Sequence, residues 1–279
     1  MMSLASPMFI ASFVFAGLIL LEALFDIWQK SREYEIKDTL VNIIMGNVSQ
    51  LWGLLWKVLH GFVYVALYEL SPLRMPTDAI WAWAALFVLD DFLYYWFHRV
   101  SHESRFFWNF HVVHHSSERY NLSVAVRQSW LSGVADWVFY LPLAFLGFPL
   151  WMRVAAHAWN LIYQFWIHTP FIKSLGPLEA VLNTPAHHRV HHAVNEQYLD
   201  KNYGGILIIW DRIFGSFVPE TEPPRYGIIK PLNSFNPVWA NLHGWSEMFA
   251  AMRERDNWRD KLRCIWGRPA MEPVNPASH

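Results

Sequence analysis

Three groups of closely spaced histidines have side chains that could bind metal ions. They read H-R-V-S-H from His98, H-V-V-H-H from His111 and H-H-R-V-H-H from His187. Histidines three or four residues apart lie on one face of a helix, so each group can direct two or three imidazoles at a common point. Imidazole suits iron, zinc, copper and nickel, and a single cysteine, Cys264, removes the thiolate-rich zinc and iron–sulfur alternatives.

The density of this histidine pattern argues against chance. With 14 histidines in 279 residues, H-x-x-H-H is expected ~0.03 times per chain, yet it occurs twice beside an H-x-x-x-H. Nine imidazoles exceed what one ion with about four to six ligands can use, so two ions are predicted. The predicted ligands are His98, His102, His111, His114, His115, His168, His188, His191 and His192.

The remaining histidines stand apart from these motifs. His60, His243 and His279 are interpreted as ordinary polar residues, and His157 as a hydrogen-bonded interior residue. The zinc-hydrolase motif H-E-x-x-H is absent, because the His-Glu pair at 102–103 is followed by Ser-Arg-Phe.

The bulk composition is that of a membrane protein. Hydrophobic residues make up 54% of the chain and charged residues 16%, against about 25% charged in soluble domains. The 22 basic and 23 acidic residues nearly balance, which gives no electrostatic reason to propose a nucleic-acid partner.

Apolar segments of spanning length predict an all-α, multi-span membrane protein with four to five transmembrane helices. The segments are residues 7–28, 43–69, 79–97, 130–150 and 151–168, the last two forming a hairpin. Basic residues at 30–37, at 99–127 and beyond 169 place the histidines and C-terminus in the cytoplasm by the positive-inside rule. The predicted architecture is therefore a membrane stem with a cytosolic, histidine-rich dimetal cap.

Two polar residues of the apolar segments are candidate site residues. Asp91 lies seven residues before His98, on the same helix face, and a buried carboxylate there needs a partner. Two roles stay open for Asp91: it could orient a ligand imidazole through the second ring nitrogen, or make an interhelical hydrogen bond. Gln164 shares a helical stripe with His168.

Together the motifs resemble the fatty acid hydroxylase/sterol desaturase superfamily, and most of all its alkylglycerol monooxygenase-like branch. The similarity is carried by DDFLYYWFHRVSHESRFFWNFHVVHHSSERYNLSVAVRQS at 90–129, QFWIHT at 164–169, and NTPAHHRVHH with DKNYGGILIIWDRIFGSF within 183–217. The resemblance implies a catalytic domain at 79–219, membrane spans and connectors at 1–78, and peripheral C-terminal helices and a tail at 220–279.

The resemblance also implies the chemistry. It implies a non-haem di-iron centre, with zinc as a substitute in purified protein, that uses O2 to hydroxylate or desaturate a sterol, fatty acyl or alkylglycerol-type lipid. The lipid is expected to enter sideways from the bilayer, which is a bacterial inner membrane or, in a eukaryote, the endoplasmic reticulum. Electrons come from an external donor, whether a reductase, ferredoxin, cytochrome b5-like protein or pterin.

Further site residues follow from the same resemblance. Glu103 stands where the branch has an acid beside its second histidine, and His187 matches the extra histidine of the branch. Gln164 stands where some relatives place another ligand. With Asp91, these residues complete the predicted catalytic set.

Two rival functions are weighed against this prediction. A metal transporter or metal-binding protein is the alternative from another class, but transporters place ligands at the bilayer midplane on broken helices. The histidine groups here lie at the ends of spans. A bis-histidine haem protein needs facing histidines within paired spans, and only His60, His157 and His168 could serve.

Overall fold

The computed structural model describes residues 7–269, which form α-helices joined by 3-10 turns. The helices are α1 (Pro7–Gln29), α2 (Ile36–Leu70), α3 (Ile80–Glu103), α4 (Arg105–His115), α5 (Leu141–Phe145), α6 (Leu150–Trp166), α7 (Pro185–His191), α8 (Ile209–Ile213), α9 (Pro237–Arg253) and α10 (Trp258–Trp266). Turns of 3-10 helix lie at Val124–Val126, Ser132–Val134, Asp136–Tyr140, Gly176–Ala180 and Glu196–Tyr198. Within residues 7–269 the only β-pairing consists of two isolated bridges, so the all-α prediction is confirmed.

Within residues 7–269, three helices are long and apolar enough to cross a membrane. They are Ile10–Gln29, Ile36–Leu70 and Ile80–Glu103. Large apolar side chains such as Ile27, Phe62 and Ile80 are exposed on their surfaces, as expected for helices that face lipid. We refer to α1, α2, α3 and α6 as the stem.

The predicted span at 130–150 is wrong. This segment folds into 3-10 turns and the five-residue α5, with Pro142 in its first turn and Gly147 at φ +85° after its end. Its apolar residues are core residues: Tyr140, Leu143 and Phe148 are buried against α2, α3 and α6. Helix α6 has 17 residues, or about 25 Å, which falls short of the ~30 Å hydrocarbon layer.

Helix α2 begins earlier than predicted and is longer than a membrane span requires. Its 35 residues make it about 52 Å long, against the ~30 Å needed to cross the hydrocarbon. The additional length is its N-terminal part, where Val41 and Met45 pack against Val112 and Val113 of α4. The sequence prediction began at residue 43 because Lys37 and Asp38 interrupt the apolar pattern.

A sharp break between α3 and α4 brings the first two histidine motifs together. Ser104 has an extended backbone, with φ −126° and ψ 125°, between the end of α3 and the start of α4. Helix α4 then packs back against α3 and against α9. Helix α7 carries the third motif to the same place. We call the part formed by α4, α7 and the segments around them the histidine cap.

Candidate metal centre

The structure gathers the nine predicted ligand histidines into two adjacent groups. The five-histidine group comprises His98, His102, His111, His115 and His191, and the four-histidine group comprises His114, His168, His188 and His192. Within each group, one ring nitrogen per residue lies within 4.8 Å of all the others. Nitrogens bound about 2.1 Å from a common metal ion lie at most about 4.2 Å apart, so these separations are close to those of a coordination sphere. The rings of His115 and His192 stack at 4.3 Å where the groups meet.

The ring nitrogens converge, and hydrogen bonds within the protein do not satisfy all of them. The Nε2 atoms of His168 and His188 lie 2.9 Å apart, and those of His98 and His111 lie 3.0 Å apart. Among the described residues, the buried Nε2 atoms of His102 and His191 have no hydrogen-bond partner. An unpartnered buried polar atom costs about 1–3 kcal/mol. A metal ion would satisfy several such atoms at once, and so each group could hold one ion.

Backbone carbonyls fix the orientation of four of these imidazoles. Each Nδ1–H donates to one carbonyl oxygen at 2.8–3.1 Å. The pairs are His98 with Tyr203, His114 with Arg127, His168 with Gln164, and His191 with Lys201. A carbonyl can only accept, so the proton lies on Nδ1, and the Nε2 lone pair is left for a metal ion.

Burial keeps the cap imidazoles neutral. Loss of hydration lowers the pKa of His114 to about 4. The same cause, with repulsion from neighbouring imidazolium charge, holds the pKa values of His111, His115, His188 and His192 well below the usual range. A neutral imidazole offers the lone pair that metal binding requires.

Two buried carboxylates hold the loop that orients the five-histidine group. Asp211 accepts hydrogen bonds from the backbone N–H groups of Tyr203 and Gly204, both at 2.7 Å. Asp91 accepts from the N–H groups of Ile206 and Leu207 at 2.7 and 3.1 Å. The Tyr203 carbonyl, which accepts the hydrogen bond from His98, therefore belongs to a loop that both carboxylates fix in place.

Of the two roles predicted for Asp91, the structure shows the interhelical hydrogen bond, with Asn160 of α6. Among the described residues, the hydrogen bonds of Asp91 go to this loop, to the Trp210 indole at 2.9 Å and to Asn160 at 3.3 Å, and none reaches an imidazole. Asp91 therefore reaches His98 only through the loop, whose Tyr203 carbonyl accepts a hydrogen bond from that imidazole. A Cβ at Gly205 would lie 2.8 Å from the Tyr94 ring and 2.9 Å from Asp91, so only glycine fits here without displacement.

Replacing Asp211 by Ala is expected to weaken metal binding at the five-histidine group by roughly 10–100-fold, the usual effect of losing a residue that supports a ligand. The variant loses both charge-assisted bonds to the loop, and the Tyr203 carbonyl is no longer held against His98. Metal retained against increasing chelator concentration measures this. Asp260→Ala, in the exposed first turn of α10, is the control. Equal loss from both groups would contradict the expectation.

The other predicted site residues lie outside both groups. Glu103 pairs with Arg99 at 3.1 Å and Arg268 at 3.6 Å, on the partly exposed end of α3. His187 packs its ring against Phe217, and burial lowers its pKa to about 4. The Gln164 side chain donates to Asn160, so only its backbone carbonyl reaches a ligand histidine.

His60 and His243 agree with their interpretation as ordinary polar residues, whereas His157, interpreted as hydrogen-bonded, has a buried Nδ1 that makes no hydrogen bond within the described residues. His60 stacks against Trp137 at 4.6 Å, and His243 donates from Nδ1 to the Ala240 carbonyl at 2.9 Å. His279 lies outside the described residues, as does the rest of the predicted tail from residue 270.

Sequence reasoning missed the charged residues that join the cap to the stem. Arg127 is buried and donates to Asn42 of α2 at 2.8 Å and to the Val113 carbonyl of α4 at 2.7 Å. Asp38 of α2 lies 3.6 Å from the same guanidinium and accepts from Ser117 at 2.7 Å. The available signal was Arg127, twelve residues after His115, but the sequence analysis had counted it only as a basic residue under the positive-inside rule.

Two further buried charges fasten the surroundings of the four-histidine group. On α1, Glu22 accepts from the Leu122 N–H at 2.7 Å and from Thr169, the residue after His168, at 2.5 Å. Arg189 of α7 pairs with Glu220 at 2.6 Å and donates to the Thr169 carbonyl at 3.3 Å. These contacts attach both α1 and α7 to the chain next to His168.

The nine histidines lie within the segment that matches a known protein family. Residues 83–216 match the family model described as fatty acid hydroxylase. The chain is 42% identical to the alkylglycerol monooxygenase of Danio rerio, over 94% of the chain and 59% of that protein. It is 43% identical to the Homo sapiens alkylglycerol monooxygenase, over 86% of the chain and 54% of that protein.

A bacterial relative extends the similarity. The ornithine lipid hydroxylase of Rhizobium tropici is 32% identical over 50% of the chain and 41% of that protein. The chain spans a little over half the length of the alkylglycerol monooxygenases quoted. No solved structure gives a significant match.

Proposed function

We propose that this chain, whose residues 83–216 match the fatty acid hydroxylase family model, is a membrane-bound non-haem di-iron oxygenase that oxidises a C–H bond of a bilayer lipid. The observation that carries the proposal is the pair of adjacent histidine groups, whose neutral, converging imidazoles suit two redox-active ions. Carboxylates and thiolates take no part in either group among the described residues. Glu103, His187 and the Gln164 side chain lie nearby, where they could support the ligands or relay protons.

The residues in and around the two groups would have separate roles in this reaction. Two iron ions, when bound, would supply the reduction of O2 that C–H oxidation needs. The nine imidazoles would hold the ions, and the backbone carbonyls keep four of these rings in the metal-binding tautomer. Asp91 and Asp211 act through the loop to hold His98 in position. Burial of the groups excludes bulk water from the reacting atoms.

A groove between α3 and α6 supports lateral entry of a lipid. Its volume is about 710 Å³, within the ~300–1,000 Å³ of typical ligand sites. Its lining is apolar and aromatic: Trp83, Phe87, Ala156, Trp159, Ile162, Tyr163, Trp166 and Ile206. Ile206 belongs to the loop that is hydrogen-bonded to Asp91. The groove therefore ends beside the segment that orients the five-histidine group. An alkyl chain in this groove would lie near the histidine cap.

The substrate class follows from this groove and from the names of the relatives. An apolar groove open to lipid fits an alkylglycerol, fatty acyl or sterol-type lipid. We infer that electrons come from an external donor, a reductase, ferredoxin, cytochrome b5-like protein or pterin, and that the cap lies on the cytoplasmic side. The cap position of the groups does not fit the transporter alternative, which needs ligands at the bilayer midplane.

Under labelled O2, membranes containing the protein, a lipid extract and an electron donor are expected to give an oxidised lipid. A hydroxylase places one labelled oxygen in the lipid or in an aldehyde product, whereas a desaturase leaves a double bond and sends the label to water. His188→Ala should abolish the product, and His243→Ala, outside both groups, should retain it. Metal transport across vesicles, without oxidised lipid from any donor, would support the transporter instead.

A further inference from the structure

A column of polar side chains runs along α6 within the stem. Arg153, His157, Asn160 and Gln164 follow one another at spacings of four, three and four residues, which places them on one helix face. The same spacing continues to His168 in the cap. Ionisable residues inside a membrane stem are costly, and they mark functional sites by default.

Two residues from other segments join the column at its middle. Asp90 of α3 has one oxygen, Oδ2, 3.5 Å from His157 Nδ1, and the same oxygen accepts from Asn160 Nδ2 at 3.3 Å. The Tyr140 ring lies 4.8 Å from the His157 ring, with the Arg153 guanidinium carbon 4.4 Å from the Tyr140 ring centre. Three separate segments thus meet at one cluster.

This cluster has more buried polar atoms than partners. Within the described part of the chain, Asp90 Oδ1, the Tyr140 hydroxyl, Arg153 Nε and His157 Nδ1 make no hydrogen bond. Asp90 and Tyr140 are each only 1% exposed. Four such atoms at about 1–3 kcal/mol each would be a severe penalty for one small region. By contrast, Tyr64 in the same core donates to the Phe148 carbonyl at 2.9 Å.

We propose that Asp90, Tyr140, Arg153 and His157 form an internal water-binding site inside the stem. The unpartnered atoms include donors, the Arg153 N–H and the Tyr140 O–H, and an acceptor, the Asp90 carboxylate. Water is both donor and acceptor and bridges such sets with about three hydrogen bonds. An ion of either sign would leave part of the set unpaired.

The exposure of the column indicates where water enters. Arg153, in the first turn of α6, is partly exposed, the His157 side chain is 17% exposed and that of Asp90 only 2%. The polar path therefore opens at the end of the stem opposite the histidine cap. Asp90 lies eight residues before His98, or about 12 Å along α3. The water site is thus separate from the metal-binding groups, and it does not depend on the proposed oxygenase activity.

X-ray radiolysis in ¹⁸O-labelled water tests the site directly, because a bound water activated in place labels the side chain beside it. In purified protein in lipid nanodiscs, Tyr140 is expected to take up label several-fold faster than Tyr95. Tyr95 is the matched control, since it is equally buried but its hydroxyl bonds to Ser216 at 2.9 Å. Equal, slow labelling of both tyrosines would overturn the proposal.

Labelling of a variant provides a second test. Asp90→Leu removes the charged acceptor, and its label at Tyr140 should fall towards that of Tyr95. Unchanged fast labelling of Tyr140 in a folded Asp90→Leu protein would contradict the assignment of Asp90 to the site. If this variant does not fold, the comparison of Tyr140 with Tyr95 in the natural protein decides alone.

Discussion

The double variant His168→Ala, His188→Ala is expected to lower the bound metal from two ions per chain to one. Both residues belong to the four-histidine group, which would keep only His114 and His192. Two imidazoles are fewer than the three or four protein ligands that stable sites normally have. The five-histidine group keeps its full set and its ion. The complementary triple variant His102→Ala, His111→Ala, His191→Ala keeps only His98 and His115 in the five-histidine group, and it should likewise leave one ion per chain.

Metal analysis of purified protein, reported per chain, measures both results. His243→Ala is the control, because His243 is buried but donates only to a backbone carbonyl and should leave two ions in place. A natural protein with one ion per chain would refute the division into two sites. So would a double variant that retained both ions.

The second large effect is expected at the buried pair that joins α2 to the cap. Replacing Arg127 by Leu should lower the free energy of unfolding by about 3–5 kcal/mol, because Asp38 is then left as an unpaired buried charge. The Arg127 and Asp38 side chains are only 2% and 8% exposed, and their closest approach is 3.6 Å. The variant also loses the hydrogen bonds from Arg127 to Asn42 and to the Val113 carbonyl.

Arg119 provides the matched control for this measurement. It lies 3.9 Å from Glu35, and both side chains are more than 40% exposed, so Arg119→Leu should change stability by less than about 1 kcal/mol. Reversible unfolding in mixed detergent micelles measures both variants. If neutralising the partner in Arg127→Leu, Asp38→Asn restores none of the loss, unpaired charge is not its cause.

Histidine spacing was enough to predict which nine histidines come together, but not how they divide into two groups. His114 and His115 are neighbours in one motif, yet the structure assigns them to different groups, as it does His191 and His192. Successive helical residues point about 100° apart, so adjacent histidines cannot share a centre as easily as residues four apart. Which partners each one meets depends on the turn at Ser104 and on the placement of α7, which local spacing does not determine.

The errors in the fold prediction have a related cause. Residues 130–150 are as apolar as a membrane span because Leu143 and Phe148 fill the core between helices. Hydropathy does not distinguish side chains that face protein from side chains that face lipid. The role of Asp91 was left open because its partners, Ile206 and Leu207, lie more than 100 residues away in sequence.

The length of α2 has a consequence for how the protein responds to its surroundings. One continuous helix of 35 residues runs from the lipid to Asn42, which bonds to Arg127, whose carbonyl in turn orients His114. A long helix adapts to a thinner or thicker bilayer by changing its tilt. A tilt of α2 moves its cap end relative to α4. A change in the tilt of α2 would reach the four-histidine group through Asn42 and Arg127, so bilayer thickness is expected to affect the geometry of that group.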